Sequence, residues 1–480
     1  MTTTRPPPAR RALLAAMTVA CAFVAAASAI AVPARATYGA RTTADEPQYL
    51  LSAISLAEDG DLDISDELAA QRWRSFHEAP LPEQTRPLED GRRISPHDPL
   101  LPLLLVPGVA LGGCTGARVT LVTLAGLTAA LLVWTAVRRL DVAPRVAALV
   151  VSLLGATVPL APYGSQVYPE LPAALAVTGG VAALLAPLRR GGVVAVFVVC
   201  CALPWLGIKY APVAAVLAAV AVVRMVRDRR AVAAAALLGA LVAAGGLYLV
   251  VHQVVWTGWT VYASADHFVD SGEFGVVGFT PNYWGRSIRL AGLLTERSFG
   301  IAAWQPAWLL AVPALAALAR VRPPHWPVLA LVLVAGWLNA TFVALTMAGW
   351  WFPGRQIVVA LPAAVLVCAW WLDRHPSARW LFAVAGAAGV VAWVVLAVEA
   401  STGRLTLIYD FFATANPLYR AWRAVLPDFM RITSATWWWH AGWIALLAAM
   451  AAAGWRGARP VSGGAQPVPV RVAPAPPALR

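Results

Sequence analysis

Residues 44–63 read ADEPQYLLSAISLAEDGDLD, an acidic stretch that begins a dozen residues after the apolar run 12–32. An Asp-Glu pair, Asp45 and Glu46, opens it, and Asp59, Asp61 and Asp63 close it. Between them Leu50, Ile54 and Ala57 fall at spacings of four and three, one face of a short amphipathic helix. Carboxylates this close to a bilayer are costly unless they are solvated, paired or used. The stretch is therefore expected to be the first polar loop of a membrane protein and the floor of its site.

The whole chain bears out the need for a membrane. Of its 480 residues 60% are apolar and 13% charged, where a soluble domain carries about 25% charged residues, so a soluble globule is excluded. The net charge of +13 is spread along the chain rather than pooled on one segment, which argues against nucleic acid as a partner. Cys21, Cys114, Cys200, Cys201 and Cys368 lie in or beside apolar runs, so neither a disulfide framework nor a cysteine-type zinc site is expected.

Twelve apolar spans are expected, at 12–32, 116–137, 145–161, 168–187, 193–206, 209–224, 231–252, 299–319, 326–348, 356–373, 379–398 and 437–455. The first is longer than a typical signal-peptide core of about 7–15 residues, so a retained anchor is expected there. With the N-terminus in the cytoplasm, every cytoplasmic connection is basic: Arg138/Arg139/Arg145, Arg189/Arg190, Arg224/Arg227/Arg229/Arg230, Arg320/Arg322 and Arg374/Arg379. Both termini then lie inside the cell membrane, and three long polar segments, 33–98, 253–297 and 399–436, lie outside. The first of these holds 13 of the 24 acidic residues against seven arginines, a net acidic loop in a basic protein. Residues 98–112, DPLLPLLLVPGVALG, are too short and proline-broken to span and are expected to form a re-entrant or surface-lying helix. The expected organisation is a cytoplasmic N-terminus at 1–11 and a transmembrane module at 12–398, with outer loops at 33–115 and 253–298. An outer loop plus a last span follows at 399–455, then a disordered Pro/Ala-rich tail at 456–480.

Candidate chemistry concentrates on the outer side. Asp45, with Pro47 and Gln48 after it, has the pattern of a helix cap, and equally of a general base held at the edge of a pocket. Lys209 is the chain's one lysine, set beside Tyr210 in PWLGIKYAP. It either snorkels to the interface or meets an anion. Arg355, in WWFPGR, opens a span on the same face beside Trp350 and Trp351, which have the character of interfacial belt residues. Arg286 and Arg297 are weaker candidates of the same kind. Tyr168 and Glu170, in VYPELP, begin another span and are expected to form the pocket wall. His97 and Asp98 precede the surface helix. The Asp59–Asp63 run does not make a calcium loop, because Ile64 stands at position six and Ala70 at position twelve, so a solvated turn is expected. Trp437, Trp438 and Trp439 with His440 are expected to be an interfacial belt, and the seven histidines show no metal-ligand spacing.

The segments DEPQYLLSAISLAEDGDLDIS (45–65), HDPLLPLLLVPGVALGG (97–113), GSQVYPELPAAL (164–175), LPWLGIKYAP (203–212) and GWWFPGRQ (349–356), in this order, resemble the bacterial GT-C glycosyltransferase superfamily. The nearest resemblance is to protein mannosyltransferases and lipid A aminoarabinose transferases, over roughly residues 10–400. The resemblance implies an all-α polytopic fold with a long first outer loop. It implies transfer of a sugar from a polyprenyl-phosphate donor to a glycan, lipid or protein acceptor, on the outer face and with inversion. The family's first-loop acidic residue corresponds to Asp45, with Glu46 beside it as catalytic partner. Lys209, Tyr210, Arg355, Tyr168, Glu170 and His97 are the expected substrate-binding residues, and the departing lipid phosphate calls for cations. The close family pattern has glycine after the histidine, where this chain has Asp98. No cofactor or metal ligand set is implied, and a divalent ion bridging the phosphate and the acidic loop is the one addition left open. The rival readings are a transporter or flippase of lipid-linked sugars and a non-catalytic cell-envelope assembly protein. Uncharged span interiors argue against passage, and the intact Asp45-Glu46 pair against the latter.

Overall fold

A computed structural model describes residues 9–268, 282–344 and 346–458. The expected N-terminus at 1–8, the middle of the second outer loop at 269–281 and the tail beyond 458 lie outside the described residues. Among the described residues the chain is all-α, and seven helical stretches are long and apolar enough to cross a membrane. Four shorter apolar helices accompany them. The chain is a multi-pass membrane protein. Every one of the twelve expected spans contains helix, but they are not twelve continuous rods.

Helix α1, Arg10–Ala29, shows how the sequence builds the bundle. Leu13, Ala16, Ala20, Val24 and Ala27 recur at three and four residues and are buried, while Leu14, Val19 and Phe23 on the opposite side are exposed. An apolar residue on the outward face is what lipid requires, so both faces are hydrophobic and packing alone distinguishes them. The buried stripe lies against the long helix α4, Leu100–Arg139.

Between them lies the acidic loop, with α2 (Glu46–Glu58) and α3 (Ser65–Ala69). The expectation of a one-sided α2 holds only for its last turn, because residues Glu46 to Ser55 are buried on every face. Arg118 of α4 fixes the loop's entry: its buried guanidinium donates to the carbonyls of Val32 at 2.6 Å, Ala34 at 3.1 Å and Arg41 at 2.5 Å.

Helix α4 is two limbs joined at Gly112 and Gly113, the latter at φ 56°. The first limb, 100–111, buries Leu101, Leu105 and Val109 and exposes Leu103, Leu104 and Leu111. It folds back on the second limb. The two limbs touch backbone to backbone, since a Cβ on Gly116 would lie 1.8 Å from the Gly108 carbonyl oxygen. Gly116→Leu is therefore expected to push the limbs apart and destabilise the protein by about 1–3 kcal/mol, the ordinary cost of overpacking, or more. A fall in thermal unfolding temperature in detergent measures it.

The remaining helices are α5 (Pro144–Gly155), α6 (Glu170–Leu184), α7 (Arg190–Leu206), α8 (Ala211–Arg227) and α9 (Ala231–Trp256). After these come α10 (Arg289–Thr295), α11 (Ala311–Val321), α12 (Trp326–Leu338), α13 (Leu361–Arg374), α14 (Arg379–Ser401), α15 (Pro417–Arg423) and α16 (Ser434–Gly457). Two expected spans are broken. The 145–161 span stops at Gly155, about 18 Å of helix against a hydrocarbon core of about 30 Å. The 299–319 span is interrupted at Gln305-Pro306. Gln305 satisfies the opened backbone: its Nε2 donates to the Leu153 carbonyl at 2.9 Å and the Gly386 carbonyl at 3.2 Å, and its Oε1 accepts from Ala307 N at 3.2 Å. At the centre stands α13, buried along nearly its whole length.

The two ends of the bundle differ in charge. At the far end of α6, Arg139 donates to the Ala182 carbonyl at 3.1 Å and Arg224 to the Leu184 and Ala186 carbonyls. Arg379 similarly caps the end of α13 through the carbonyls of Leu372 and Asp373. The starts of both helix runs, Glu170 and Arg355, lie at the opposite end, where the acidic loop packs.

Candidate active site

Four segments far apart in sequence converge there. Asp45 immediately precedes α2; its backbone occupies the cap position, but its side chain makes no capping bond. The residue before it, Ala44, holds φ 47°, a left-handed conformation costing a non-glycine residue about 1–2 kcal/mol. The turn aims the Asp45 carboxylate away from its own helix. Oδ2 accepts from Arg355 Nη2 at 2.7 Å, and Oδ1 faces His97 Nε2 at 4.0 Å, beyond hydrogen-bond distance.

Arg355 is the hub. Gly354 turns the chain into it at φ 82°, where a Cβ would also crowd Pro159 at 2.8 Å. The guanidinium donates through Nε to Glu170 Oε1 at 2.8 Å as well as through Nη2 to Asp45. Its carbon lies 4.1 Å from the Tyr168 ring centre and 5.1 Å from that of Trp351. Lys209 Nζ donates to the same Glu170 oxygen at 2.6 Å. Lys209 thus turns inward to a carboxylate instead of snorkelling. Two cations and two carboxylates form one chain, Asp45–Arg355–Glu170–Lys209. Glu170 is fully buried, Arg355 is 7% exposed, and Asp45, at 19%, stands at the mouth.

Around this chain several polar atoms are buried without a partner. They include Glu170 Oε2, His97 Nε2, Tyr210 OH, Trp351 Nε1 and Asn339 Oδ1. An unmet buried polar group costs about 1–3 kcal/mol, so this concentration marks a place shaped for a ligand. His97 stacks on Tyr49 with ring centres 4.6 Å apart. Burial pushes its imidazole below its ordinary value, against the pull of Asp45. Burial opposes ionisation of Asp45 most strongly of any single influence, but Arg355, His97 and Lys209 together outweigh it. The carboxyl falls from its ordinary 3.8 to about 2.

Seven of the eight expected site residues meet here, and Glu46 does not. Its side chain is fully buried and points away from Arg355. Oε1 accepts from Val167 N at 2.9 Å and Oε2 from Thr43 N at 3.0 Å. Burial pushes its carboxyl up, against Arg118 and those two amides. Glu46 is a strut holding the loop beside the 164–170 segment. Asp98 is a second anchor, accepting from Tyr248 OH at 2.8 Å and lying 3.2 Å from His252 Nε2.

Two further departures concern arginine and tryptophan. Arg286 donates to the Phe342 carbonyl and Arg297 pairs with Asp428 at 2.6 Å, so neither joins the site. Trp351 is no belt residue but packs on Arg355, while Trp350, 58% exposed, stacks on Tyr409. Trp437, Trp438 and Trp439 open α16 with exposed rings. Tyr49 and Asn339 were not among the expected site residues, and Trp351 was expected only as a belt residue, since nothing local separates a lining aromatic from a membrane one.

No family model matches the sequence, and a search of curated proteins finds no relative. Solved structures do show a likeness. ArnT from Cupriavidus metallidurans bound to undecaprenyl phosphate superposes with a TM-score of 0.51 at 16% identity, over 90% of this chain and 71% of that one. The same protein in the apo state gives 0.44 at 17% identity, with the same coverage. The fold implied by the sequence resemblance is therefore the fold found: this chain is an all-α membrane protein with the fold of ArnT.

Proposed function

We propose that the protein is a membrane glycosyltransferase that moves a sugar from a polyprenyl-phosphate donor to an acceptor hydroxyl outside the cell membrane. The observation that carries this is the Asp45–Arg355–Glu170–Lys209 chain at the mouth of the bundle, buried at Arg355 and Glu170 and half-buried at its two ends. Two cations held by carboxylates, with unmet donors beside them, suit an anion that displaces Asp45 and joins Lys209. A phosphate monoester, the product that leaves when the sugar–phosphate bond breaks, is such an anion. The complex named for ArnT, with undecaprenyl phosphate, is consistent with a lipid phosphate as that partner.

In this reading the donor phosphate takes Arg355 Nη2 and Lys209 Nζ. Asp45 is thereby released from the guanidinium that holds its basicity down. The freed carboxylate removes the acceptor's proton as the acceptor oxygen attacks the anomeric carbon, and the bond to the phosphate oxygen breaks on the opposite face. One displacement inverts the configuration, and the negative charge departs onto Arg355 and Lys209. Glu170 keeps both cations in place, Glu46 holds the loop, and Tyr168 supports the guanidinium face.

The location follows from charge. The arginines at the short connections lie at the end of the bundle opposite the site, and basic connections stay in the cytoplasm. The termini then lie inside and the site outside.

The test is an assay of membranes containing the protein against a panel of polyprenyl-phosphate sugars, with mass spectrometry of the products. Transfer from one of them, with inverted configuration, is expected; retained configuration contradicts the single displacement.

The low Asp45 value also sets a pH dependence of stability. A carboxyl depressed in the folded state contributes stability fully above its unfolded value and loses it as pH falls toward its folded value. The difference in unfolding temperature between wild type and Asp45→Asn is thus expected to be constant from about pH 5 to 8. It should narrow below about pH 4 and vanish near the folded value of about 2.

A further inference from the structure

The acidic run after α2 separates into two groups with different tasks. Asp61 and Asp63 are engaged locally. Asp61 Oδ1 accepts from Asp63 N at 2.9 Å and Ser55 Oγ at 3.0 Å. Asp63 Oδ1 accepts from Ser65 N at 3.1 Å, Ser65 Oγ at 2.6 Å and Arg93 N at 3.0 Å. These bonds make the expected turn.

Asp59 is not part of that turn. It directly follows the last residue of α2 and meets Asp66 and Glu67 of α3, with one ligand oxygen from each lying within 4.8 Å of the others. Asp59 and Asp66 are exposed, but Glu67 is 2% exposed, and both its carboxylate oxygens are buried with no hydrogen-bond partner outside the cluster, the Asp66 carboxyl being the one inside it. A carboxylate so shut from water is far costlier than its two solvated neighbours. The neighbouring cation, Arg72, does not hydrogen-bond it: both terminal nitrogens are on Glu58, at 2.6 and 2.5 Å.

We infer that Asp59, Asp66 and Glu67 form a divalent-cation site, Ca2+ in kind, that ties the end of α2 to α3. Three carboxylates from two elements supply hard oxygen ligands, and the exposed side leaves room for water to complete a shell of six to eight. Oxygens within 4.8 Å of one another can share one ion, and the permissive shell of Ca2+ asks less of their placement than the near-ideal octahedron that Mg2+ demands. The site lies at the opposite end of α2 from Asp45 and does not depend on the glycosyltransferase reading. Burial and Asp66 raise the Glu67 carboxyl to about 8, so a proton is the competing occupant.

The experiment is thermal unfolding of the purified full-length protein in detergent, stripped with EDTA and then titrated with CaCl2 or MgCl2, without donor lipid. An upward shift with Ca2+, half complete at about 10⁻⁴–10⁻³ M and weaker with Mg2+, is expected, in the affinity range of extracellular modules. The shift should be lost in Asp59→Asn, whose exposed side chain the fold does not need, and in Glu67→Gln. No shift in the wild type by about 10 mM Ca2+ overturns the inference and leaves the proton as the occupant. A shift that survives undiminished in Asp59→Asn overturns it as well, by placing the ion elsewhere.

Discussion

Asp45→Asn is expected to lower the rate of sugar transfer by roughly 10²–10⁴-fold while the protein remains in the membrane at normal levels. The amide keeps the shape and can still face Arg355, but it cannot accept the acceptor's proton. Because Asp45 stands at the mouth while its partners are buried, the loss should fall on turnover more than on donor affinity. Removing its negative charge even frees Arg355 for phosphate, so donor lipid should bind Asp45→Asn at least as tightly as wild type. A merely structural Asp45 would instead lose donor binding along with turnover.

The second large effect lies at Arg355. Replacing it with alanine removes the cation shared by Asp45 and Glu170 and leaves Glu170, with no exposure to water, paired through Lys209 alone. Breaking a buried ion pair from one side costs about 3–5 kcal/mol, so Arg355→Ala is expected to lose both transfer and much of its thermal stability. Arg355→Lys separates the two roles. It keeps the charge but cannot reach both carboxylates with the fixed fork of a guanidinium, so it should recover most of the stability and little of the activity. Unfolding temperature and transfer rate, measured side by side, check this; equal recovery of both would remove Arg355 from the chemistry.

The site was legible in the sequence to the extent that charge is conspicuous in an apolar chain. Glu170, Lys209 and Arg355 each open a hydrophobic segment, where a charged group demands a partner, and the partners proved to be one another. Adjacency misled for Glu46. Consecutive residues at a helix start point in directions about 100° apart, so Asp45 faces Arg355 while Glu46 faces Val167, more than a hundred residues on. The partners of Asp98 are likewise about 150 residues distant, in α9, which no local pattern announces. The fold was legible from hydrophobic length and order, and its interruptions were not. Gly155 and Gln305-Pro306 sit inside apolar runs, and whether such a break is tolerated depends on carbonyl partners supplied by other helices.

The most direct test of the central claim is a cryo-EM structure of the protein with a polyprenyl phosphate bound. The account predicts phosphate oxygens within hydrogen-bond distance of Arg355 Nη2 and Lys209 Nζ, with Asp45 released from the guanidinium and turned toward open space at the mouth. A phosphate bound elsewhere, with Arg355 still clasped between Asp45 and Glu170, would contradict it.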